Sequence, residues 1–178
     1  MQIIIGILSI LAFIVVWYWR IKALSEAAKD GAKLAKSAAN LPRKLAFRNR
    51  SGKRGLGVVN DPREAATIMM LEVAQARGPL TELQQACIRA EIMQHFEFTE
   101  SDADKLISQS AWLSRDEGAP DTIVRRMAGY LQSTPSLGPE QLIDMDGMLV
   151  AVSEAEGTPT TAQLDLISTY RRKTGLQV

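Results

Sequence analysis

The 178-residue chain has few of the residues on which enzyme and metal sites usually depend. Cys87 is its only cysteine and His95 its only histidine, which excludes an intramolecular disulfide and a zinc site built on two histidines. The two lie eight positions apart in one predicted helix, about 12 Å along its axis, too far for a Cys–His nucleophilic pair. Phosphate-binding glycine loops and the Gly-x-Ser-x-Gly motif are also missing. We therefore expect a protein that is not an enzyme.

The formal net charge of +1 hides a basic part followed by an acidic part. Residues 1–60 contain eleven basic and two acidic residues, a net charge of +9, whereas residues 61–178 contain ten basic and eighteen acidic residues, a net charge of −8. The sequence predicts three regions: a transmembrane anchor at 1–22, a juxtamembrane helix with a basic linker at 23–60, and a helical domain at 61–178.

Ile3–Trp19 is a run of seventeen residues without a charge. As a helix it extends about 25 Å, slightly less than a typical ~30 Å hydrocarbon core. It ends in residues suited to the membrane interface, namely Trp17, Tyr18, Trp19, Arg20 and Lys22. A cleavable signal peptide would have positive charge before the apolar run, and a buried core helix would not be so uniformly apolar. The pattern favours a retained single span in a bacterial inner membrane, with the N-terminus outside and the domain in the cytoplasm.

The basic linker contains Arg43, Lys44, Arg48 and Arg50. Contact with anionic lipid head groups is the favoured interpretation, at about 1 kcal/mol for each basic residue at the surface. The alternatives are docking on an acidic protein face and a positive flank with no further role. Nucleic-acid binding is not expected, because Phe47 is the only aromatic residue available for stacking.

The first helical hairpin is marked by its caps and breaks. Asp61 with Glu64 predicts a capping box and Gly78 a left-handed stop, and Thr81 with Gln84 predicts a second capping box. The second helix is predicted to face the core with its apolar residues, Leu83, Ala86, Cys87, Ala90 and Met93.

This hairpin pattern occurs again 79 positions later. The shift places Gly78 on Gly157, Thr81 on Thr160 and Gln84 on Gln163. No segment alternates convincingly with the period of a strand. The sequence therefore predicts an all-α fold, with one N-terminal transmembrane helix and a six-helix bundle built from two similar hairpins.

The Asp-Pro-Arg-Glu-Ala start, the Ala-x-Gly helix end, "PLT", "HFEFT" and the later repeat resemble the TerB-like domain, a tellurite-resistance module also found in co-chaperones that have a J domain. The resemblance implies a divalent cation, held by an Asp in each hairpin turn and a Glu six residues after the turn Gly. These four positions are Arg77, Gln84, Glu156 and Gln163 here, so the implied ligand set is incomplete. Glu154 and Glu156 are the remaining candidate metal ligands, and a solvated acidic face is the alternative interpretation.

The sequence predicts an accessory or scaffold subunit that docks on a larger integral membrane complex, with the respiratory chain as the suggested system. The alternative hypothesis is a binding module for metal ions or tellurite stress. We expect Arg77 and Met70, which lie off the predicted inner faces, to be partner contacts.

Overall fold

The computed structural model describes residues 55–176, which fold as six α-helices after one turn of 3-10 helix at Leu56–Val58. The helices are α1 (Pro62–Gln75), α2 (Glu82–Phe96), α3 (Glu100–Ser114), α4 (Pro120–Gln132), α5 (Pro139–Glu154) and α6 (Thr161–Thr174). No strand occurs within this range, so the predicted all-α bundle of six helices is confirmed. None of the helices within 55–176 has the length and apolarity needed to cross a bilayer. The predicted anchor and nearly all of the basic linker lie outside the described residues.

Helix α1 is the centre of the bundle and packs against each of the other five helices. Every residue from Glu64 to Ala74 is buried, so α1 is covered on all sides rather than along a single stripe. The helix that precedes the other five in the chain therefore supplies a large part of the core.

Local sequence signals determine the start of most helices. Asp61 caps α1 by accepting a hydrogen bond from the Arg63 backbone N–H at 3.0 Å, and Pro62 occupies the first helical turn, where its missing N–H costs nothing. Thr81 and Thr160 open α2 and α6 with the predicted reciprocal bonds to Gln84 and Gln163. These caps confirm the hairpin pattern that the sequence repeats.

The packed domain begins before the predicted boundary at Asp61. Leu56 and Val59, which the predicted boundary places in the linker, are buried and belong to the hydrophobic core. This short segment lacks helical periodicity, and its burial depends on contacts with distant helices rather than on its own sequence.

Candidate functional site

The two hairpin turns, which the sequence repeat places at equivalent positions, lie side by side. Arg77 in the first turn donates a hydrogen bond from Nη1 to the backbone oxygen of Thr158 at 2.9 Å. Its Nε lies 3.5 Å from Oε2 of Glu156, the equivalent residue of the second turn. The Arg77 and Glu156 side chains are 30% and 22% exposed, so the pair is partly shielded from water. One guanidinium thus joins both turns, and we call Arg77, Glu156 and Thr158 the turn clamp.

Two glutamine side chains beneath the turn clamp complete the contact between the hairpins. Gln84 Nε2 donates to the backbone oxygen of Ala74 at 3.0 Å, and Gln163 Nε2 donates to that of Val73 at 3.1 Å. Both amides are almost fully buried. The carbonyls they reach belong to the last turn of α1, where backbone oxygens lack the regular helical partner four residues on. The Ala74 oxygen also accepts from the Arg77 backbone N–H at 3.3 Å. Gln84 and Gln163 therefore take part in the caps that start α2 and α6, and they also donate hydrogen bonds to carbonyl oxygens at the end of α1.

This arrangement does not fit the divalent cation that the TerB resemblance implies. A guanidinium occupies the first turn, and the two amide nitrogens point toward carbonyl oxygens. Within residues 55–176, no group of three or more His, Cys, Asp or Glu side chains is arranged to hold a metal ion. Of the candidate ligands, Glu156 pairs with Arg77, and Glu154 is exposed. Arg77 supplies the positive charge at the junction of the two turns.

The sequence predicted Met70 as a partner contact, and its burial shows that this prediction is wrong. Met70 is fully buried because α1 is surrounded by helices, so a methionine off the predicted inner stripe still faces the core. Arg77 is engaged inside the domain by the turn clamp.

The predicted inner face of α2 is also partly wrong. Cys87 is buried, but Leu83 and Met93 are 60% and 40% exposed, and Ala90 is exposed as well. The face that packs on the core instead carries Gln84, Ile88 and Ile92 together with Cys87. Helical spacing places Leu83, Ala86, Ala90 and Met93 on one stripe, roughly opposite the buried face, with Ala86 half-buried and the other three exposed. We call these four residues the α2 stripe.

Cys87 is a buried free thiol on α2. The pKa of the Cys87 thiol is raised to about 12, mainly by burial and to a smaller extent by the negative charge of Glu91. The raised pKa disfavours the reactive thiolate. His95 lies at the exposed end of α2, with Nε2 3.3 Å from Oε2 of Glu91.

A polar contact between α1 and α3 was not predicted. Glu64 accepts a hydrogen bond from Gln109 Nε2 at 2.6 Å, so its carboxylate turns toward α3 rather than toward the Asp61 cap. Glu72, about two turns further along α1, is also buried. Burial raises the pKa of its carboxyl, and a hydrogen bond from Ser114 partly offsets the effect. The only sequence signal for this contact is a pair of glutamates eight positions apart in a largely apolar helix.

Comparisons of the chain with protein-family models, with curated proteins and with solved structures gave no match.

Proposed function

We propose that the chain is a membrane-tethered accessory or scaffold subunit that docks on a larger integral membrane complex. The observation that carries the proposal is the α2 stripe, an apolar face that points away from the core of its own domain. Apolar residues grouped on one exposed face favour a protein contact over simple solvation. The proposal keeps the TerB-like family as its structural class and the respiratory chain as the first system to test.

The tether makes a small docking surface sufficient. In this proposal Ile3–Trp19 holds the chain in the inner membrane and the domain lies in the cytoplasm. Confinement to the same membrane raises the effective concentration of the partner, so a contact that is weak in free solution becomes populated. A rigid bundle also suits this role, because the turn clamp and the two buried glutamines hold both hairpins in fixed register.

Affinity purification of the full chain from mild detergent tests the proposal. Leu83→Asp is expected to lose the co-purified integral membrane complex, because it removes an apolar contact and places a carboxylate in the interface. A loss of about 2 kcal/mol, that of an interface hot spot, lowers affinity about thirtyfold. Ile143→Asp is the matched control, because Ile143 is 58% exposed on α5 and lies outside the stripe.

The two variants separate the outcomes. Retention of the complex by Ile143→Asp and its loss by Leu83→Asp support docking through α2. Equal retention by both variants, or a wild-type chain that purifies alone under every detergent condition, contradicts the proposal.

A further inference from the structure

Most basic side chains of the described domain are neutralised by a nearby acid. Seven of the ten within residues 55–176 form ion pairs, namely Arg63, Arg77, Arg89, Lys105, Arg125, Arg126 and Arg171. Arg115, Arg172 and Lys173 form none within that range. The unpaired positive charge of an acidic domain is thus concentrated in three residues.

Two of these three residues lie where α6 packs against α4. The Lys173 Cε lies 3.1 Å from the position that a Cβ would occupy on Gly129 of α4, so the lysine stem crosses that helix. Arg172 Nη2 lies 3.2 Å from Thr169 Oγ1, which itself donates to Asp121 at the start of α4.

The exposed arginines of α4 extend the same surface. Arg125 pairs with Asp121, and Arg126 Nη1 lies 3.7 Å from Glu117 Oε2, with both arginine side chains more than half exposed. We define the basic face as Arg125, Arg126, Arg172 and Lys173. Asp121 and Glu117 neutralise two of the four positive charges, so the basic face has a residual charge of about +2.

The chain enters the domain beside this face. A Cβ on Gly55 would lie 2.5 Å from Oε1 of Glu117, the acid that pairs with Arg126, and one on Gly57 would lie 3.6 Å from Nη2 of Arg126 itself. Leu56 is buried and fixes the segment at this point. The residues that precede Gly55 in sequence include Arg43, Lys44, Arg48, Arg50, Lys53 and Arg54. The basic stretch of the sequence therefore ends one residue before the point of entry.

We propose that the basic face lies against the anionic phospholipid surface of the membrane that holds the chain. The inference rests on the tether of the proposed function. Because Gly55 directly follows the basic stretch in sequence, an arm that binds lipid would hold the entry of the domain close to the membrane surface. Attraction of the basic face and repulsion of the remaining acidic surface then act in the same direction and orient the domain.

Site-specific quenching on the full chain, reconstituted in phosphatidylcholine vesicles with or without phosphatidylglycerol, tests the orientation. A fluorophore is attached to a cysteine at Ser168→Cys, one turn before Arg172, or at Ser101→Cys as a control. Ser101 lies in the first turn of α3, whereas the loop that contains Glu117 follows the other end of that helix. The two ends are about 20 Å apart along the helix, so Ser101 lies far from the Glu117 side of the basic face. Buried Cys87 does not compete for the label. Spin-labelled lipid head groups are the quencher.

Stronger quenching at position 168 than at 101, present only with the anionic lipid, is the expected result. Arg172→Gln with Lys173→Gln is expected to abolish the difference. Lys105→Glu lowers the net charge by the same two units on α3 and is expected to preserve it.

The outcomes distinguish this orientation from the tether itself. A chain that alkaline carbonate extracts from the vesicles contradicts the tether and, with it, the orientation. A chain that resists extraction but shows equal quenching at both positions, or equal quenching with and without phosphatidylglycerol, overturns the basic-face proposal alone.

Discussion

Replacing Gln163 with Glu is expected to destabilise the domain strongly and in a pH-dependent way. The Gln163 amide accepts from the Thr160 N–H at 3.0 Å and donates to the Val73 carbonyl at 3.1 Å, with no exposure to water. An ionised carboxylate preserves the first bond but places an oxygen against the Val73 carbonyl oxygen. Only the protonated acid can donate there, so the folded state raises the pKa of the new carboxyl.

The magnitude follows from that shift. Each unit by which the pKa of a carboxyl is raised on folding costs about 1.4 kcal/mol once the group is ionised in both states. A raise of two to three units, within the range for buried carboxyls, gives a cost of roughly 3 to 4 kcal/mol at neutral pH. The penalty is smallest below the unfolded value of about 4.3, grows as the pH rises, and is complete above the folded pKa.

Urea unfolding of residues 55–178, followed by circular dichroism between pH 4 and 8, measures this penalty as the difference from wild type at each pH. Gln141→Glu is the matched control, because Gln141 caps α5 by accepting from the Gly138 N–H at 2.8 Å but is exposed. It is expected to be neutral or slightly stabilising, since a negative charge suits a helix N-terminus. A Gln163→Glu penalty below about 1 kcal/mol at pH 7, or one that does not change with pH, would refute the assigned bond to Val73.

Three further results are expected from the same domain. Glu72→Gln should change stability little near pH 4 and stabilise the domain at pH 8. Burial raises the pKa of Glu72 in the folded state, so the wild-type domain loses stability as this carboxyl ionises. Urea unfolding at several pH values measures the sign of the difference in unfolding free energy. A double-mutant cycle of Arg77→Met and Glu156→Gln should give a coupling of about 0.5 to 1 kcal/mol, and a coupling near zero would contradict the turn clamp. Cys87 should react with a thiol reagent only at the rate of unfolding, whereas labelling of the folded domain at the rate of a free thiol would contradict its burial and raised pKa.

Caps and breaks were predictable because they depend on short stretches of chain. Thr81 with Gln84 and Thr160 with Gln163 form the expected boxes, and Gly78 takes a positive φ of 152° after α1. The equivalence of the two turns was visible in the 79-residue shift. Their contact through Arg77 was not, since a repeat shows which positions correspond but not which ones meet.

Helix orientation was harder to predict because it depends on the whole bundle. The apolar pattern of α2 favours Leu83, Ala90 and Met93 as the inner face. The buried bond from Gln84 to the Ala74 carbonyl instead turns a polar residue inward, and the three apolar residues then point outward. Met70 was misplaced for a related reason, since a central helix has no outer face.

Photo-crosslinking in cells tests the central claim of membrane-tethered docking most directly. A photoreactive amino acid is placed in the full chain at Leu83 on the α2 stripe and, in parallel, at Ile143 on α5. The account predicts a discrete adduct with an integral membrane protein from position 83 that is not formed from position 143. The same adducts from both positions, or none from position 83 when the chain is in the membrane fraction, would contradict it.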